Sequence, residues 1–133
     1  MNIIEKRLQA LNVPPTEYAS IGKSETAALV ERSRELSDRA NDVRTFSIAE
    51  CDICDVSQTL RDLCAADQLV FACWPNYGEA FRLSWELLLR HFSDLWYPSS
   101  DDLLVVSANG SWLLEVNHEE TVRFSALPRV RLP

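Results

Sequence analysis

The sequence predicts an α+β fold in which N-terminal helices pack on a mainly antiparallel sheet that ends in a three-stranded β-meander. Three features predict it. Ile4, Leu8 and Leu11 recur at the spacing of one helical face. Leu69 to Trp74 is a mostly apolar run of strand length. Asn109-Gly110, the strongest short hairpin signal, separates two apolar-rich segments. The 133 residues fit one domain spanning 1–133. A chain of this length buries roughly two-thirds of its unfolded surface, so it needs neither disulfide nor metal to fold.

The first helix is expected over Asn2–Leu11, ended by Pro14 and Pro15. A second is expected from about Ser24 to Asn41. Its apolar stripe of Leu29, Ser33, Leu36 and Ala40 is narrow, and Glu31, Arg32, Arg34, Glu35, Asp38 and Arg39 keep the rest wet. A short strand is expected at Arg44–Ile48. Asp55 has the character of a helix N-cap, with Gln58 three residues later, opening a third helix that carries Val56, Leu60, Leu63 and Cys64 on one face. After the Leu69–Trp74 strand and a turn at Pro75–Gly78, a fourth helix is expected over Glu79–Phe92. Phe81, Trp85, Leu88, Leu89 and Phe92 form one of its faces, and Leu83 and Leu87 the opposite one.

The C-terminal third fixes its own register. A turn at Asn109-Gly110 sets Ser107, Val105 and Leu103 opposite Trp112, Leu114 and Val116. A three-residue loop at His118–Glu120 then sets Leu114 and Val116 opposite Phe124 and Val122, so one face stays apolar across three strands. On the other face Glu115 lies opposite Arg123, beside an apolar patch of Leu104, Val106 and Leu113 that needs a helix or a partner to cover it. The tail, Leu127 to Pro133, reads as extended.

Thirteen Lys and Arg against 20 Asp and Glu give a net charge of −7. That balance repels phosphate backbones and favours basic partners, so no nucleic-acid partner is expected. The N-terminus has no secretory pattern, and no stretch reaches the ~18 apolar residues of a membrane span. A cytoplasmic protein without membrane contact is therefore expected. Cys51 and Cys54 form a C-x-x-C, but Cys64 and Cys73 do not supply a second pair of zinc-finger spacing, and the acidic dipeptide Asp52-Ile53 opposes a stabilised thiolate. The only histidines are His91 and His118, and no nucleophile-elbow, zincin, phosphate-loop or dinucleotide pattern occurs. No enzyme activity, cofactor or metal is expected.

The segment FSDLWYPSSDDLLVVSANGSWLLEVNHEETVRF, Phe92 to Phe124, covers about a quarter of the chain. In Asp94-Leu95-Trp96-Tyr97-Pro98, Asp101-Asp102, Ser111-Trp112-Leu113-Leu114 and Asn117-His118-Glu119 it is similar to the C-terminal hairpin region of small bacterial proteins. Some of these act as immunity proteins in contact-dependent or type VI secretion systems. The resemblance implies a cytosolic antitoxin that occludes a cognate, basic toxin. Chosen by charge, expected exposure and nearness to the hairpin, the contact residues would be Asp94, Trp96, Tyr97, Asp101, Asp102, Glu115, Glu119 and Glu120. Two alternatives stand beside it: a regulatory or adaptor domain that forms a homodimer through Leu104, Val106 and Leu113, and a small metal- or thiol-dependent protein using Cys51 and Cys54.

Overall fold

A computed structural model describes residues 2–48, 53–63, 68–98 and 100–126, with 53–55 described by their backbone alone. The chain is α+β. Its elements run α1 (Ile3–Ala10), β1 (Tyr18–Ser20), α2 (Lys23–Arg39), β2 (Asp42–Ser47), α3 (Ile53–Leu63), β3 (Leu69–Trp74), β4 (Glu79–Ser84), α4 (Trp85–Arg90), α5 (Phe92–Leu95), β5 (Leu103–Ser107), β6 (Trp112–Val116) and β7 (Thr121–Ala126). The strands form one seven-stranded sheet in the order β1-β4-β3-β5-β6-β7-β2, and every pairing is antiparallel.

Helix α1 stops before the prolines. Asn12 takes a left-handed backbone (φ 59°), and the N–H of Val13 donates to Leu8 O at 3.1 Å while that of Asn12 donates to Gln9 O at 3.0 Å. This is a Schellman stop, with buried Val13 packing back toward Leu8. At the other end no local side chain caps the helix. Instead the carboxylate of Glu79, from β4, accepts the Ile4 N–H at 2.9 Å, placing a negative charge at the positive end of α1.

Alternation along the strands builds two unequal faces. The inner face offers Val70, Ala72, Trp74, Phe81, Leu83, Leu103, Val105, Leu114, Val116, Val122 and Phe124 to one core. Ile4 and Leu8 of α1, Val56 and Leu60 of α3, Trp85 and Leu88 of α4, and Phe92 and Leu95 of α5 fill it from the helical side. Among the described residues α2 alone covers the outer face, where Leu36 packs on Val106 and Leu113, with Leu29 and Leu104 at the margin. Helix α2 connects β1 at one edge of the sheet to β2 at the other. Its 17 residues span about 25 Å, close to the roughly 29 Å across the strands, so it crosses the sheet from edge to edge. It crosses at the β5–β6 turn, where the Arg32 guanidinium lies against Gly110. The half of the outer face near the β6–β7 turn is left open.

The meander register is as expected: Val105 pairs with Leu114, Leu103 with Val116, Leu114 with Phe124 and Glu115 with Arg123. The first turn differs in type. The Gly110 N–H donates to Ser107 O at 2.9 Å, so Ala108 and Asn109 are the central residues and Gly110 (φ 71°) follows in the left-handed region. Ser107 Oγ then accepts the Ser111 and Trp112 N–H groups at 2.9 and 3.2 Å, which closes a longer loop than an Asn-Gly turn would need.

Residues 79–84 correct the expected fourth helix, because they form strand β4. Gly78 (φ 64°) makes a tight hairpin with β3, and Phe81 and Leu83 point inward while Arg82 is exposed. The helix begins only at Trp85, where Ser84 Oγ accepts the Leu87 N–H at 3.0 Å. Asp55 is likewise inside α3, which starts two residues earlier, and so is not its cap. The short strand starts at Asp42, two residues before its expected start. Cys73 is buried in β3, which pushes its thiol up to about 11. Cys51, Cys64 and the tail from Leu127 to Pro133 lie outside the described residues. Among the described residues no helix is long and apolar enough to cross a membrane.

Candidate functional site

The open half of the outer face forms a cleft of about 410 Å³. Its floor is Leu104 of β5, Glu115 of β6 and Arg123 of β7, side by side because the three residues pair across the sheet. Thr45 of β2, opposite Arg123, closes one side. Pro75, Asp102 and the β6–β7 turn form the rim.

That turn is held from both ends. Asn117 O accepts the Glu120 N–H at 3.0 Å, and Glu120 takes a left-handed backbone (φ 63°). Asn117 Oδ1 accepts the N–H groups of Glu119 and Thr121, each at 3.0 Å. Asp102, just before β5, accepts the His118 N–H at 2.8 Å, and the His118 ring Nδ1 lies 2.9 Å from the same oxygen. That hydrogen bond, with the charges of Asp102 and Glu119, raises the imidazole pKa above its ordinary value. On the floor, burial raises Glu115 above the usual carboxylate range, and Arg123 3.9 Å away offsets only part of this. A half-buried carboxylate so placed gains from a second cation delivered by a partner.

The eight expected contact residues divide. Asp102 and Glu115 line the cleft. Glu119 is exposed and Glu120 half-buried on the adjoining turn. Asp94 and Tyr97 are exposed, the former on α5 and the latter just after it. Trp96 and Asp101 are interior, at 3 % and 0 % exposure, and offer no surface to a partner. Their burial has one cause. Arg7 of α1 reaches Asp101 Oδ2 at 2.6 Å and Leu95 O at 3.2 Å, and its guanidinium stacks 4.0 Å from the Tyr97 ring centre. Asp101 also accepts the Tyr77 hydroxyl and, at 2.8 Å, the Tyr97 N–H, while its carbonyl accepts Trp96 Nε1–H at 2.9 Å. Burial alone would raise the Asp101 pKa, but the hydrogen bonds from Arg7, Tyr77 and Tyr97 hold it below the usual range. This knot joins α1 to the start of the meander and is a structural element.

Of the apolar patch, Val106 at 1 % and Leu113 at 0 % exposure are covered by α2 and offer no surface to a second copy, while Leu104 is half-buried and reaches the cleft. Among the described residues no group of three or more His, Cys, Asp and Glu side chains is placed to hold a metal ion. The pair Cys51 and Cys54 falls outside what is described: Cys51 entirely, Cys54 by its side chain. Thr45 and Pro75 of the cleft had no sequence signal, since the β2–β7 pairing that brings Thr45 to Arg123 joins residues far apart in the chain.

No family model matches the chain, and no curated protein matches it.

Proposed function

We propose that the protein is a cytoplasmic immunity protein that neutralises a basic toxin by binding it through the open half of its outer sheet face. The carrying observation is that Asp102 and Glu115 line one open cleft, beside His118 and Arg123, with Glu119 and Glu120 on the adjoining turn, in a chain of net charge −7. Glu115 on the floor would take a partner's Lys or Arg, and the exposed turn would attract the partner's positive field and speed encounter. Leu104 and Pro75 would give the apolar contact that such an interface needs at its centre. Asp94 and Tyr97 would then be peripheral to the interface.

The test is co-purification with the products of the genes beside its own, followed by association kinetics with any that is retained at several salt concentrations. The expected result is a one-to-one complex whose association slows with salt. Glu119→Lys with Glu120→Lys should slow it about tenfold further while leaving the melting temperature unchanged. A neighbour that is not retained, or association indifferent to both salt and charge reversal, would reject the proposal.

A further inference from the structure

The two edges of the sheet are guarded differently. Edge strand β1 is three residues long and follows Pro14 and Pro15. Edge strand β2 is six residues long, exposed over Asp42–Thr45, and contains no proline or lysine; its only charged residues are Asp42 and Arg44, of opposite sign. Val43 is one of the few large apolar side chains left exposed, at 44 %.

The ladder fixes which backbone groups face outward. The Ile48 N–H donates to Glu120 O at 2.8 Å, so position 48 is bonded inward, toward β7. Hydrogen-bonded positions alternate in an antiparallel pair, which turns Phe46, Arg44 and Asp42 inward as well. Val43 and Thr45 therefore point their N–H and C=O groups out of the sheet.

We infer that β2 pairs with β2 of a second copy of this chain, antiparallel and centred on Val43. A two-fold axis perpendicular to the sheet allows only registers that set one residue opposite itself. Centring on Asp42 or Arg44 opposes like charges, and centring on Thr45 sets Asp42 against the apolar Ile48. Centring on Val43 sets Val43 against Val43 and Asp42 against Arg44 twice, at the close, non-hydrogen-bonded positions where cross-strand pairs interact most strongly. Within one chain Asp42 and Arg44 are already neighbours, 3.5 Å apart on an exposed surface, so each is free to exchange its partner. The two strands pair over Asp42–Arg44 of each copy, since Ser47 would already face Arg39, the last residue of α2, and both open clefts face the same side. The inference does not depend on the identity of any toxin.

Sedimentation equilibrium of the intact protein tests it. The expected result is a concentration-dependent dimer. Asp42→Arg and Arg44→Asp should each weaken it about tenfold, and the double swap should restore it. Equal parts of the two single variants should form a mixed dimer, since each supplies the charge the other lacks. Val43→Pro removes an outward N–H without touching the β7 ladder, and should abolish the dimer while the melting temperature holds. A protein that remains monomeric at every concentration overturns the inference, as does a dimer indifferent to Val43→Pro and to the charge swaps.

Discussion

On the inner face of the sheet four helices interlock with buried side chains from five strands, and Trp74, Trp85, Leu88 and Leu95 are sealed from solvent. On the outer face one helix rests on Val106 and Leu113 through Leu36, and beyond it the sheet carries charged and polar groups into an open cleft. The buried core and the open cleft thus lie on opposite sides of the same strands. Glu115 lies between Leu114 and Val116 in β6, yet its neighbours hold the core while it faces the cleft. Cleft residues can therefore vary without disturbing the core.

The largest expected effect comes from the inner face. Leu88→Ala should cost about 3–4 kcal/mol in urea unfolding, because the cavity it leaves cannot collapse between α4 and the sheet. Leu36→Ala should cost about 2 kcal/mol and be felt first as lost amide protection in α2 alone. If the two cost the same and α2 exchanges only by global unfolding, the contrast between the faces fails.

Breaking the Arg7–Asp101 pair should come next. Arg7→Met leaves a buried carboxylate without its cation and should cost about 3 kcal/mol near neutral pH. The folded Asp101 carboxyl lies below its ordinary pKa, so its contribution is present above the ordinary carboxylate range and is lost as pH falls through the depressed value. The difference between wild type and Arg7→Met should therefore shrink in acid, which stability curves across acid pH will show.

The smallest effect belongs to the rim of the cleft. His118 has a raised pKa when folded, so its pairing with Asp102 stabilises fully below the ordinary histidine value and fades as pH rises through the raised one. His118→Gln should lower the melting temperature slightly in mild acid and leave it unchanged at alkaline pH. A variant that loses no stability at either pH would mean that the backbone bond to Asp102, which the substitution keeps, rather than the ring, holds the turn.

The meander was readable from sequence because a side-chain period of two and two short turns leave a single register that keeps one face apolar. Strand β4 was not. Phe81, Trp85, Leu88, Leu89 and Phe92 satisfy a helical period, and the alternation of Phe81, Arg82 and Leu83 is too brief to compete with it. What decides the matter is the left-handed Gly78, which folds the chain back onto β3. At the site, charge, expected exposure and nearness to the hairpin chose Asp102, Glu115, Glu119 and Glu120, but they also chose Asp101, which is buried. Nothing near Asp101 in the sequence announces that Arg7, from the first helix, will bury it. The order of the strands was hidden for the same reason: β1 and β2 are separated by one helix in sequence and by the whole width of the sheet in space.

That placement also orders the chain in time. As the polypeptide leaves the ribosome, β1 emerges before its partner β4 exists, and β2 must wait for β7, whose last residue is Ala126. Helix α2, crossing from one edge to the other, has no surface to lie on until the meander between those edges is complete. The first third of the protein is synthesised early and docks late, so the exposed β2 edge is a hazard for nascent chains crowded on one message before it becomes an interface for finished ones.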